Sequence, residues 1–205
     1  MFVLTVDQRH SRRSGDRIDD LLHGLAGRTR GRVRGFERTA GDEVQGVLDH
    51  PGAVVDLVTD LVRQDDWSIG IGVGPVDLPL PASTRAGSGA AFTLARDAVT
   101  RAKSRPTGLA VSGASAGGAA HAQAALDLLA ALAQRRTDRG WEAVDLAAGG
   151  LSQVEIAERL GITKQAVSQR LHAADWHLEP PARERAAHLL AVADASSPAD
   201  RVERP

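Results

Sequence analysis

The chain has 205 residues, a formal net charge of −1, 25 lysines and arginines against 26 aspartates and glutamates, and 42% hydrophobic residues. Such a balance describes a folded chain, long enough for one large domain or two small ones, and excludes disordered and strongly basic classes. There is no cysteine and no tyrosine, which excludes disulfides, thiolate zinc sites and cysteine nucleophiles and disfavours aromatic platforms for single-stranded nucleic acid.

The elements follow in chain order. MFVLTVD is an apolar run that reaches Asp7 with no basic region before it, so it reads as a first strand rather than a signal peptide. No apolar run approaches the roughly 20 residues of a membrane span, and a cytoplasmic location without membrane contact is expected. Ser14 to Ala26 carries Ile18, Leu21, Leu22 and Leu25 at helical spacing. RVRGFERT alternates like a strand, with Val33 and Phe36 as apolar anchors and Gly35 interrupting the register. AGDE supplies a turn and VQGVL the return strand. Pro51 opens a helix at a position where its missing N–H costs nothing, and Val54, Val55, Leu57, Val58, Leu61 and Val62 give that helix a broad apolar face. WSIGIGVG is a strand with glycine at alternate positions. Gly74 to Gly89 is a Pro/Gly/Ser loop, Ala90 to Lys103 is helical, and TGLAVS is a last strand. The order βαββαβ, followed by a helix and a strand, predicts an α+β fold with a ferredoxin-like sheet carrying helices on one face.

After SGASAGG the pattern changes to helices alone: His121 to Gln134, Trp141 to Ala148, Ser152 to Leu160, Thr163 to Ala174 and Pro181 to Ala195. The boundary is expected near residue 115, giving a sheet domain over 1–115 and an all-α domain over 116–205. The tail SSPADRVERP reads as frayed.

SQVEIAERLGITKQAVSQRLHAADW is the most informative segment. Ser152 followed by Glu155 is a capping box. Ala157 is small where two helices must cross closely, Gly161 permits a left-handed turn, and Thr163 can cap the next helix. Val167 and Leu171 face inward, with Ile156, Leu160 and Ile162 completing a small core. Lys164, Gln165, Ser168, Gln169 and His172 are left on the outer face of the second helix, with side chains suited to base edges and phosphates. The segment resembles the helix-turn-helix of bacterial regulators and of sigma-factor region four. Acidic residues of this half, including Glu155, Glu158 and Asp175, roughly balance its arginines, so one copy attracts phosphate only modestly. A homodimer on double-stranded DNA would compensate. The apolar helices His121 to Gln134 and Pro181 to Ala195 suit either subunit pairing or packing within the chain.

Asp7 ends the first strand, and Asp42 and Glu43 lie at the predicted hairpin turn. In a ferredoxin-like sheet these strands are central neighbours. Hard oxygen ligands so placed suit Mg²⁺ carrying phosphates. Spacing alone favours a plainer reading, with Asp7 as a cap and Gly41-Asp42 as turn chemistry.

RTAGDEV resembles the signature hairpin of diguanylate cyclases, the GGDEF domain, with Ala40-Gly41-Asp42-Glu43-Val44 in its place. SIGIGVG is similar to that family's next strand and ARDAVTRAK to its following helix. Together with VDQRHSRR and the C-terminal helix-turn-helix, these pieces resemble the SatD family, small bacterial proteins with a cyclase-like palm domain followed by a DNA-binding region. The resemblance implies Asp7 and Asp42 as metal carboxylates, Glu43 as the neighbouring acid and Lys103 as the contact to a terminal phosphate. Arg38 and Arg105 join Glu43 and Lys103 in the implied nucleotide site. The chain departs from the cyclases at QRHSRRSGDR, where a guanine-holding set is expected, and at Thr107, where a phosphate-binding arginine is expected. The product-inhibition pattern Arg-x-x-Asp is missing from Gly31 to Arg34, and its occurrence at Arg63 to Asp66 ends a helix elsewhere. The arginines between Arg9 and Arg38 suit an anionic ligand or a solvated helix face.

The expected function is therefore a DNA-binding transcriptional regulator whose degenerate GGDEF-like domain senses a nucleotide or cyclic dinucleotide, with no catalytic residue assigned. The alternative is an active metal-dependent nucleotidyl cyclase with an accessory helix-turn-helix. A third is a ligand-free dimerisation scaffold.

Overall fold

The apolar run after Met1 forms strand β1, Phe2–Gln8, buried along almost its whole length. In the computed structural model, residues 1–9 and 15–195 are described. The part of VDQRHSRR beyond Arg9, the predicted helix start at Ser14 and the tail SSPADRVERP lie outside the described residues. Helix α1 is Ile18–Ala26, shorter than the pattern predicts. Gly15 has φ +73°, a left-handed conformation, and the Asp16 side chain accepts the Ile18 N–H at 2.9 Å, so the helix begins only after this turn.

Strands β2 (Arg32–Ala40) and β3 (Glu43–Leu48) form a hairpin. Gly41 has φ +56°, which suits glycine at the first central position of a two-residue loop. Asp42 lies in that turn, but Glu43 is already the first residue of β3. The β2–β3 register shifts three times. Val33 packs on one face of the sheet and Phe36, three residues on, packs on the other. Helix α2, Pro51–Gln64, starts at the predicted proline, with the His50 side chain accepting the Ala53 N–H. Then come β4 (Trp67–Val73), α3 (Ala90–Ala102) and β5 (Leu109–Gly113).

The five-stranded sheet has the order β2-β3-β1-β4-β5. β1 lies antiparallel between β3 and β4, and β5 is parallel to β4. Helices cover both faces, not the single face that the sequence predicts. On one face Phe2, Leu4, Val6, Ile69, Ile71 and Leu109 meet the apolar sides of α1 and α2. On the other, α3 lies directly against the backbone of β4: a Cβ built on Gly70 would fall 2.2 Å from the Val99 nitrogen, and one on Gly72 2.0 Å from the Ala91 oxygen. The glycines of SIGIGVG are thus the groove into which a small-residue helix sinks, and strands buried on both sides need two helical layers.

Eight helices occur among the described residues. The last five are α4 (Ala116–Gln134), α5 (Asp138–Ala148), α6 (Gln153–Leu160), α7 (Lys164–Ala173) and α8 (Glu179–Ala195). α4 starts earlier than its apolar pattern because Ser115 caps it through the Gly118 N–H. α4 and α8 pack on each other, and both pack on α2. One hydrophobic cluster therefore runs from β1 and α2 across residue 115 to Leu126, Leu129, Ala186 and Leu190. Of the two uses open to these helices, the described structure shows packing within the chain.

The seam is also polar. Arg136 and Glu179 form an ion pair in which both side chains are almost wholly buried, at 1% and 2% exposure. Arg183 bonds Glu179 at 2.6 Å and reaches Asp56 of α2 at 3.0 Å. Arg63 of α2 makes a two-pronged bond to Asp145 of α5 at 2.8 and 2.9 Å and stacks on Trp141, with its guanidinium 4.2 Å from the ring centre. Asp66 pairs instead with Arg17, so the Arg63 to Asp66 pattern is split between unrelated partners.

Candidate functional site

Two regions collect the residues singled out from the sequence. The first is the end of the sheet where α3 stops. Asp7 stands opposite Glu43 on one side and Ser68 on the other, so their side chains share the α3-covered face. Lys103, just beyond α3, places Nζ 2.8 Å from Asp7 Oδ2. The Asp7 side chain is only 13% exposed. The Thr39 hydroxyl donates to Glu43 Oε1 at 2.5 Å. The hairpin turn is fixed beside them by the Gln8 N–H, which donates to the Asp42 carbonyl at 3.1 Å. Asp7, Glu43, Lys103 and the backbone of Asp42 therefore meet at one edge, although they are far apart in sequence.

This oxygen-rich edge fits a hard cation in donor type. Asp7 and Glu43 supply carboxylate oxygens from adjacent strands, and the Lys103 ammonium provides the positive charge beside Asp7. One pleat along, buried Gln45 donates from Nε2 to Thr5 Oγ1 at 2.9 Å, while its Oε1 has no partner. Among the described residues, no three His, Asp or Glu side chains are grouped to share one metal ion.

The two arginines of the implied nucleotide site are engaged elsewhere. Arg38 forms a fork on Asp16 at 2.8 and 3.0 Å and contacts Asp19 at 3.3 Å. The Ile18 N–H, and after it the Arg38 guanidinium, hold the Asp16 carboxyl below its usual range, and Asp16 in turn raises Arg38. Arg105 turns away to α4, where Asp127 accepts from it at 2.5 Å and from the Thr107 hydroxyl at 2.7 Å. Sequence reasoning missed Ser68, Thr39 and Asp127. Ser68 was legible in principle, since it is the second residue of the strand that pairs with β1. Asp127 carried no signal, because its partners lie across the expected domain boundary.

The second region is the α6–α7 pair. The Ser152 hydroxyl accepts the Glu155 N–H while Glu155 accepts the Ser152 N–H, closing the capping box that SQVE predicts. That Ser152 N–H lowers the pKa of Glu155. Gly161 adopts φ +64° and Thr163 caps α7 through the Ala166 N–H. Ile156 and Val167 are fully buried, Leu171 nearly so, and Leu160 and Ile162 pack against them. Lys164, Gln165, Ser168, Gln169 and His172 are all exposed. Arg170, beside them, bonds Glu142 of α5 at 3.0 Å.

No protein-family model, curated protein or solved structure matches this chain. No helix among the described residues is long and apolar enough to cross a membrane.

Proposed function

We propose that this protein is a DNA-binding transcriptional regulator, a two-part molecule in which a degenerate GGDEF-like palm over 1–115 senses a nucleotide or cyclic dinucleotide and a helix-turn-helix over 116–205 reads double-stranded DNA. The observation that carries the reading is the division of α7. Val167 and Leu171 are buried beneath it, while all five polar side chains named from the sequence face solvent together. A short helix held by a capped partner, with donors and acceptors along its free side, fits a major groove. The likeness of RTAGDEV to the cyclase hairpin and the order of the motifs support membership of the SatD family. A homodimer would place two reading helices on two half-sites.

The palm would hold Mg²⁺ through Asp7 and Asp42, with Glu43 beside them and Lys103 on a terminal phosphate. The metal would neutralise phosphate charge. Lys103 would exchange its contact with Asp7 for the ligand, and Arg38 and Arg105 would need to leave Asp16 and Asp127 to join it. A ligand regulates only through a difference in affinity between two arrangements, and an exchange of these carboxylate partners for phosphate would be such a difference. The convergence of Asp7, Glu43 and Lys103 also favours a second reading, an active metal-dependent nucleotidyl cyclase, because phosphoryl transfer needs metals and positioning more than a protein nucleophile.

Two measurements test the proposal. Replacing Lys164 and Gln169 together with alanine is expected to weaken operator binding by about 1–3 kcal/mol for a lost base contact, with an unchanged melting curve. Operator affinity equal to that of the parent would reject α7 as the reading helix. Asp42→Asn is expected to weaken Mg²⁺-dependent nucleotide binding in calorimetry by about tenfold or more, as loss of a charged ligand of a hard cation requires. Equal binding would reject the metal site, and product formed from a nucleoside triphosphate would select the enzyme.

A further inference from the structure

The groove beside α7 has a charge character that the composition of this half conceals. It runs between the start of α5 and one side of α7, with a volume of about 470 Å³, and is lined by Arg135, Thr137, Arg139, Gln169 and Arg170 together with small residues. Among the described residues, no acidic side chain lines it. Arg135 and Arg139 are exposed, whereas Arg170 is already turned to Glu142. Gln169 belongs to both the groove and the outer face of α7, so the two arginines flank the reading side chains directly. Ala166, Ala173 and Gly140 are among its small lining residues. An extended polyanion can enter such a groove.

We infer that Arg135 and Arg139 are backbone clamps for duplex DNA: each pairs with a phosphate at the edge of the groove that α7 enters and so fixes the helix in register. This rests on the DNA-binding reading and adds to it two residues that lie outside the helix-turn-helix. It also eases the electrostatic difficulty raised by the sequence, because Arg135 and Arg139 line a groove whose lining contains no acid. Exposed guanidiniums beside a polar helix face lose little hydration before binding and release counterions on contact.

The test uses the full chain and a mixed-sequence duplex, since phosphate contacts do not depend on base sequence. Binding is measured across a salt series for the parent, for Arg135→Ala with Arg139→Ala, and for Arg85→Ala, which removes an exposed charge from the loop before α3. The double variant is expected to lower the slope of log affinity against log salt by about 1.8, at roughly 0.9 per phosphate, and Arg85→Ala to leave it unchanged. An unchanged slope in the double variant, with parent-like binding, would overturn the clamp while leaving α7 as reader. An equal loss in Arg85→Ala would reduce the effect to net charge and also overturn it. A parent that binds no duplex, or binds structured RNA in preference, would overturn the clamp and the DNA reading together.

Discussion

Glu179→Ala is expected to lower the unfolding free energy by about 3–5 kcal/mol, the range for removing one member of a buried ion pair and leaving the other uncompensated. Glu179 and Arg136 are 2% and 1% exposed. Arg136 also donates from Nε to the Ala174 carbonyl at 2.9 Å, and its guanidinium lies 4.8 Å from the centre of the Trp141 ring. Without Glu179 its charge would remain in the seam with only the ring and one carbonyl. Arg183 would lose its 2.6 Å partner as well. Urea denaturation followed by circular dichroism measures the change. Glu142→Ala, which breaks a pair whose carboxylate is 54% exposed, provides the contrast and should cost about 1 kcal/mol or less. Similar losses in the two variants would show that the buried pair contributes no more than a surface one. A paired replacement of Arg136 and Glu179 by apolar residues should recover much of the loss, because desolvation disappears with both charges.

Gly72→Ala is expected to destabilise the protein by about 3 kcal/mol, the upper part of the usual range for overpacking. The new methyl would sit 2.0 Å from the Ala91 oxygen and 2.5 Å from the Ala95 nitrogen. Both are backbone atoms of α3, so no side chain can swing aside. α3 must lift from the sheet, and Phe92, Ala95 and Ala98 lift with it. The same substitution at Gly117, in the first turn of α4, meets nothing within 4 Å. There it should raise stability by about 0.5–1 kcal/mol, the helical advantage of alanine over glycine. The difference in thermal midpoint between the two variants measures the closeness of the α3–sheet contact. Equal midpoints would refute it.

Local features were legible and distant ones were not. Pro51, the Ser152–Glu155 box and Gly161 each act within one helical turn, and their structural consequences appear where the sequence places them. The βαββαβ order could be read because each element announces its own period. The second helical layer was hidden. Glycines at alternate positions of β4 signal a close approach, but only the packed structure shows that α3 makes it. The carboxylates of the acidic edge lie close together because Asp7 and Glu43 are in register, a relation set by strand pairing. The partners of Arg38 and Arg105 depend on side chains that no local spacing brings together. An arginine assigned to phosphate by resemblance is held in this structure by the nearest available acid.

The unbroken apolar cluster across residue 115 also limits how the molecule can be dismantled. A fragment stopping at Gly113 would leave one flank of α2 bare, and a fragment beginning at Ala116 would carry the matching greasy side of α4 and α8. Neither piece is a portable cassette. Grafting the helices after residue 115 onto another protein would require α2, or a substitute for it, to travel along.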